Sequence, residues 1–105
     1  MGGALASLSG VPKHLTSRVR GSILDQMVLV LIESGATHNF INAQLVQRME
    51  IPTDDFEGFS ILVPRARTMQ CMHYVPSLSV TMGTYKFIYH FFVVVIPETN
   101  VVLGV

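Results

Sequence analysis

The chain has 105 residues, of which 50% are apolar and 13% charged, and its seven basic and seven acidic residues give a formal net charge of zero. This composition is too apolar for a disordered chain and predicts one small domain. A neutral chain lacks the positive field that binding to a phosphate backbone requires, so we expect no nucleic-acid partner. The apolar surplus predicts a surface that a partner subunit covers.

The sequence also argues against membrane, disulfide and metal chemistry. No apolar run approaches the ~18 residues of a membrane helix, and the start of the chain lacks the pattern of a secretion signal, so we expect a cytoplasmic protein with no membrane partner. The single cysteine, Cys71, cannot form an intrachain disulfide. Cys71 and His73 could offer two metal ligands, but two ligands make no site. We therefore expect no metal and no other cofactor.

The first part of the chain predicts short strands. Residues 5–8 favour a first strand, and residues 18–23 alternate between polar and apolar in the pattern of a half-buried strand. Asp25 and Gln26 predict a hairpin turn into the next strand, at 27–32. That strand is apolar on both faces and should lie inside the fold.

One helix is predicted, over residues 42–49. Asn42 is a suitable N-cap because its side-chain oxygen can accept from the free amides of the first turn. Ile41, Leu45 and Met49 recur every four residues and form one apolar face. Pro52 should end the helix.

The remainder of the chain predicts a series of strands separated by turns. Pro64 interrupts one hairpin and Gly83 marks the turn of another, while the acidic run at 54–57 is expected to be a solvated loop. The predicted strands cover residues 59–63, 68–74, 78–82, 85–96 and 101–105. Many short strands at regular spacing predict a closed or partly closed β barrel.

The most informative segment begins where the apolar strand at 27–32 ends. A single carboxylate, Glu33, lies there on a sharp turn that Gly35 marks. A buried strand that ends in an acid on a tight loop suits acid/base chemistry. The segment reads Glu33-Ser34-Gly35-Ala36-Thr37-His38-Asn39-Phe40.

This segment resembles the active-site loop of retroviral-type aspartic proteases, in particular those of gypsy-type LTR retrotransposon Gag-Pol polyproteins, where it usually reads D-S-G-A-T-H-N-F. The Val-Val-Leu-Gly sequence at 101–104 resembles a second family motif, which crosses beneath the loop. Residues 18–23 and the helix after Phe40 also resemble this family. The resemblance implies an all-β, retropepsin-like barrel with one short helix, a single domain over 1–105 and half of a catalytic site in each monomer.

The resemblance also implies a chemistry. The substrate would be a peptide or polyprotein, and a homodimer would bring one acid from each subunit to the two-fold axis. Two close carboxylates cannot both ionise, so one would activate a water while the other protonates the scissile carbonyl. Glu33 would be the catalytic acid, Ser34 would lock the two loops across the dimer, and Gly35 would let the backbone approach the water. Supporting roles would fall to Ala36, Thr37, Leu103 and Gly104.

Three departures from the family bear on this prediction. Glu33 replaces the usual aspartate, so we expect weak or absent proteolysis. The flap tip is Pro64-Arg65-Ala66-Arg67, where the family usually has glycines, which predicts a wider hairpin. The family continues with a helix and a strand that are not found within 1–105, so we expect 91–96 and 101–105 to be partly uncovered and the chain to associate heterogeneously.

Two other functions compete with proteolysis. The chain could be a non-catalytic relic, or it could be a dimerising module that holds extended peptides by strand pairing. A third arrangement, with His38 as a catalytic base, would need a nucleophile beside it. The only thiol, Cys71, is on a separate predicted strand, so we do not expect this arrangement.

Overall fold

The computed structural model describes residues 5–7, 16–63, 67–96 and 98–104. Within them, one short helix accompanies eight strands, which confirms the predicted all-β class. The elements are β1 (Leu5–Ser7), β2 (Thr16–Ile23), β3 (Gln26–Glu33), β4 (Phe40–Asn42), α1 (Ala43–Met49), β5 (Asp54–Val63), β6 (Arg67–Met82), β7 (Tyr85–Val94) and β8 (Val101–Gly104).

The strands form one sheet in the order β1-β5-β6-β2-β3-β8-β4-β7, and β7 also pairs with β6. This last pairing brings the end of the sheet back to its middle, as the predicted barrel requires. The long strand β6 makes the closure possible, because its 16 residues pair with β5, β2 and β7. A register shift between Val75 and Leu78 lets β6 bend, so Pro76 interrupts the pairing without ending the strand.

The turn between β2 and β3 lies one residue earlier than predicted. Leu24 and Asp25 form it, with φ of 50° and 66°, and Gln26 already pairs with Ile23. Two successive residues at positive φ suit the right-handed twist of a tight hairpin. The hairpin then runs in regular register as far as the pair Thr16–Glu33.

The predicted helix is confirmed, together with its cap. The Gln44 amide donates to Asn42 Oδ1 at 3.0 Å, and Leu45 and Val46 face the core. The same Asn42 side chain donates from Nδ2 to the carbonyls of Ile96 and Thr99, at 2.9 and 3.1 Å. Asn42 therefore starts the helix and also fixes the segment that leads into β8.

The acidic run at 54–57 is part of β5, so the prediction of a loop was wrong. Asp54 pairs with Tyr74 and Asp55 with His73, and a register shift follows in which Gly58 adopts a φ of 92°. The backbones of Asp54 and Asp55 pair with β6, while these two residues stay exposed. A strand edge can thus accept a polar run that composition alone assigns to a loop.

Two apolar clusters fill the barrel, and β8 lies between them. Val101 and Leu103 belong to a cluster with Leu45 and Phe91, whereas Val102 belongs to the other. These three residues are buried: β3 pairs with all three, β4 pairs with Val101 and Val102 on the other side, and the two clusters cover their side chains. The expectation that 101–105 would be partly uncovered was therefore wrong for 101–103, and Val105 lies outside the described part of the chain.

The strand at 91–96 is covered at most of its positions as well. Phe91, Val94 and Ile96 are buried, and Val95 is 51% exposed. Phe92 and Val93 are half-buried and pack against the clusters.

In the described part of the chain, no helix is long and apolar enough to cross a membrane.

Candidate active site

Glu33 is the last residue of β3, where two neighbouring strands meet it. Thr16 of β2 is its antiparallel partner and Gly104 of β8 its parallel partner. The chain then turns through Ser34 and Gly35, and the Ala36 amide donates to the Glu33 carbonyl at 3.3 Å. The acid is thereby placed at the base of a tight turn, at the end of the central hairpin.

The carboxyl group of Glu33 points into the protein. Its side chain is 3% exposed, and Oε1 accepts a hydrogen bond of 3.0 Å from the Thr16 hydroxyl. Sequence reasoning missed Thr16 as a partner. The register of the hairpin could have identified it, because a two-residue turn at Leu24 and Asp25 places Thr16 opposite Glu33.

Gly104 passes beneath the turn at a distance that excludes a side chain. A Cβ atom there would lie 2.8 Å from the Ala36 carbonyl oxygen and 2.9 Å from that of His38. The neighbouring Leu103 is buried. The strand β8 therefore supports the turn from below through direct backbone contact.

Asn39 joins the turn to two strands and was not singled out from the sequence. Its Oδ1 accepts from the Gly104 amide at 3.0 Å, and its carbonyl accepts from the Phe92 amide at 2.9 Å. Its Nδ2 lies 3.5 Å from the His90 carbonyl. One side chain thus ties the segment after the turn to β8 and β7.

A comparison with known families shows the family of this chain. A family model described as the PEG10/RTL1 protease domain matches residues 29–105, which is 77 of the 105 residues. The chain belongs to this protease-domain family. A search of curated proteins finds no match. The matched region contains Glu33 and Gly104, and the family is retrotransposon-derived and retropepsin-like, which confirms the resemblance found in the sequence.

The remaining loop residues of this protease domain differ in their surroundings. Ser34 and Thr37 are exposed, whereas Ala36 is buried beneath the turn. The Thr37 hydroxyl lies 2.8 Å from His38 Nδ1. The exposed side of the turn is therefore polar, and its buried side packs on the core.

The predicted flap corresponds to the hairpin of β5 and β6. Residues Pro64, Arg65 and Ala66 lie outside the described part of the chain, so the predicted wider turn stays a prediction. Arg67 is the first residue of β6, and its backbone pairs with Val63. The two flanking strands of the hairpin are regular from Phe59 to Val63.

A cavity of about 470 Å³ opens beside the loop, on the side of His38. Burial lowers the pKa of the His38 imidazole below its ordinary value of 6.5, and the nearby His90 lowers it further. The cavity is lined by His38, Phe56, Phe59, Tyr74, Pro76, His90 and Phe92.

Cys71 is buried on β6, and its thiol lies 3.5 Å from the His73 carbonyl oxygen and 3.6 Å from that of Val93. Burial raises the pKa of this thiol, so the thiolate needed for nucleophilic attack is disfavoured.

Among the described residues, no three His, Cys, Asp or Glu side chains are grouped as a metal site requires.

Proposed function

We propose that this domain is an aspartic-type endopeptidase that acts as a homodimer on peptides or polyproteins, with turnover slowed by Glu33 in the place of aspartate. One observation carries the proposal: in a protease-domain family, a buried carboxyl group lies at the base of a tight turn. Thr16 and Gly104 flank it on neighbouring strands. In the dimer, Ser34 would face the turn of the partner.

In the proposed reaction, the two Glu33 carboxyl groups share one proton. The ionised carboxylate takes a proton from a bound water, and the water oxygen attacks the scissile carbonyl carbon. The protonated carboxyl donates its proton to the carbonyl oxygen. When the tetrahedral intermediate collapses, the C–N bond breaks and the carboxyl that took the proton from water gives it to the leaving amine. The other carboxylate takes a proton from a hydroxyl of the intermediate, which restores the single shared proton.

The length of the side chain explains the slow turnover. An additional methylene displaces the carboxyl by ~1.5 Å, and a misplacement of ~1 Å can cost about 100-fold in rate. The hydrogen bond from Thr16 also holds the Glu33 carboxyl toward its own chain. Each subunit must release this contact before the two carboxyl groups can meet.

Peptide cleavage by matched variants tests the proposal. The unchanged chain should cleave slowly, Glu33→Asp should cleave about 100-fold faster, and Glu33→Gln should not cleave, because an amide cannot exchange the proton. Sedimentation should show that the active species is a dimer, because the burial of Val101, Val102 and Leu103 removes the reason for expecting heterogeneous association. Cleavage that persists undiminished in Glu33→Gln would refute a role for this carboxyl.

A second candidate function, peptide binding without cleavage, rests on β1. Leu5–Ser7 pairs in parallel with Ser60, Ile61 and Leu62 of β5, so this edge of the flap hairpin accepts an extended segment. Because β1 occupies this edge, a peptide would bind there by strand addition only in place of β1. Binding of a peptide by both the unchanged chain and Glu33→Asp, with cleavage by neither, would favour this function over proteolysis.

A further inference from the structure

The strand β1 is attached to the rest of the fold at one place. It lies at the end of the sheet, where Leu5–Ser7 pairs in parallel with residues 60–62 of β5. Among the described elements, only β5 lies beside β1. The barrel closes elsewhere, through the pairing of β7 with β6. Release of β1 would therefore leave the barrel closed.

The edge of β5 that β1 covers would be open without it. Along the other edge of β5, Ser60 and Leu62 pair with Gln70 and Thr68 of β6. Since the backbone N–H and C=O groups of a strand point to both sides, the groups directed away from β6 in this stretch face β1. An uncovered edge of this kind is a template for pairing with another extended chain. The strand β1 thus covers an edge that can bind a peptide.

This edge lies close to the Glu33 turn. Phe59 directly precedes Ser60, and its ring centroid lies 5.4 Å from that of His38, which follows the turn by a few residues. An extended peptide that pairs with residues 60–62 would therefore run beside the candidate active site. In the structure, β1 already occupies that position.

The pairing of β1 is weak in itself, and its covalent connection to the domain favours it. Only three residue pairs join β1 to β5, and each backbone hydrogen bond contributes little in net terms because water competes for the same groups. Residues 8–15 connect β1 to β2, and a short connection gives a tethered segment an effective concentration in the millimolar range. The same segment would bind weakly as a separate peptide, yet as part of the chain it occupies the edge reversibly.

We propose that β1 is an autoinhibitory strand, which occupies the β5 edge in the resting chain and must leave before an extended peptide can pair there. The inference rests on peptide recognition in the proposed function and not on cleavage. It makes recognition depend on the release of a segment of the same chain, so any change that weakens β1 pairing should strengthen peptide binding.

A release variant tests the proposal, with a blocked peptide of the sequence of residues 2–10 as the probe. NMR follows the amide signals of residues 60–62 in the full chain. Ala6→Pro/Ser7→Pro removes two consecutive N–H groups, one of which faces β5 because successive N–H groups of a strand point to opposite sides. If β1 leaves the edge free in about a tenth of the molecules, this variant should bind the probe about tenfold more tightly than the unchanged chain.

The matched control is Ala6→Ser/Ser7→Ala, which keeps both N–H groups and the composition of the segment. It should bind the probe as weakly as the unchanged chain. Amide spectra of both double variants would show that the barrel is retained. Equal dissociation constants for the proline variant and the unchanged chain would overturn the proposal, as would the absence of probe binding to residues 60–62 in every variant.

A crosslinked variant tests the opposite change. Leu5 and Ser60 lie directly opposite each other, and the spacing of neighbouring strands, about 4.8 Å, suits a disulfide. Leu5→Cys/Ser60→Cys should therefore lose probe binding when oxidised and regain it when reduced. Ser60→Cys alone controls for the loss of the hydrogen bond between Ser60 and Gln70 and should bind the probe equally in both redox states. Probe binding to residues 60–62 of the oxidised crosslinked chain would overturn the proposal.

These binding assays are independent of catalysis. A domain that cleaves peptides but binds the probe equally with β1 released or crosslinked keeps the proposed proteolytic function and loses the autoinhibitory strand. A domain whose probe binding follows the release of β1, but which cleaves no peptide in any variant, keeps the autoinhibitory strand and loses the proteolytic function.

Discussion

The hydroxyl of Thr16 donates a 3.0 Å hydrogen bond to the carboxyl of Glu33 across the β2–β3 hairpin. These two residues are the last pair of a ladder that begins at the Leu24–Asp25 turn. The bond folds the Glu33 carboxyl against its own hairpin. The placement of the candidate catalytic acid therefore depends on a residue 17 positions earlier.

Replacement of Thr16 should destabilise the domain and release the acid. Thr16→Val removes a donor to a buried carboxyl, and weakening such a hydrogen bond costs ~1–3 kcal/mol. Thr16→Ser keeps the hydroxyl and should cost less than half as much. Urea unfolding of the two variants measures the difference, and equal losses would show that the hydrogen bond contributes nothing.

Gly104 should tolerate no side chain. In Gly104→Ala the new Cβ would meet backbone carbonyl oxygens at 2.8 and 2.9 Å, so the turn itself must move. We expect a loss of ~1–3 kcal/mol, as in other overpacked sites, together with a displaced His38 resonance. Gly83→Ala is the control, because no atom lies within 4 Å of its Cβ and only the φ of 61° is unfavourable. An unmoved His38 signal in Gly104→Ala would contradict the contact.

The sequence predicted local structure more reliably than it predicted contacts between distant segments. Asn42 was recognisable as a cap because a cap depends on a few adjacent residues. The acid at Glu33 was recognisable because a strand, a turn and a motif coincide there. Thr16 and Asn39 were missed, since their roles arise only when strands far apart in sequence pair.

The errors have a similar origin. The acidic run at 54–57 was assigned to a loop because its pairing with β6 depends on residues about 18 positions away, such as His73 opposite Asp55. The aromatic cavity could not be predicted, because its lining comes from the loop and three strands. Residues 101–105 were expected to be partly uncovered, yet Val101, Val102 and Leu103 are buried in the two apolar clusters.

The stability of the domain should fall in acid partly through His38. Its folded-state pKa lies below the unfolded value of about 6.5, so the unfolded chain binds the proton more readily. The contribution of His38 is fully present above pH 6.5 and is lost as the pH falls toward the folded-state pKa. His38→Gln should flatten the pH dependence of the free energy of unfolding in this window. An unchanged slope would show that His38 is not the source of this pH dependence.

Asn42 should be among the most sensitive positions outside the turn. Asn42→Ala removes the N-cap, typically worth ~1 kcal/mol, and also leaves the carbonyls of Ile96 and Thr99 without their donor. With a further ~1–3 kcal/mol for these buried groups, we expect a total loss of about 2–4 kcal/mol. Asn42→Ser keeps an acceptor for the Gln44 amide but cannot reach both carbonyls, so it should recover only the cap contribution. Urea unfolding separates the two parts, and full recovery in Asn42→Ser would show that the bonds to Ile96 and Thr99 do not stabilise the approach to β8.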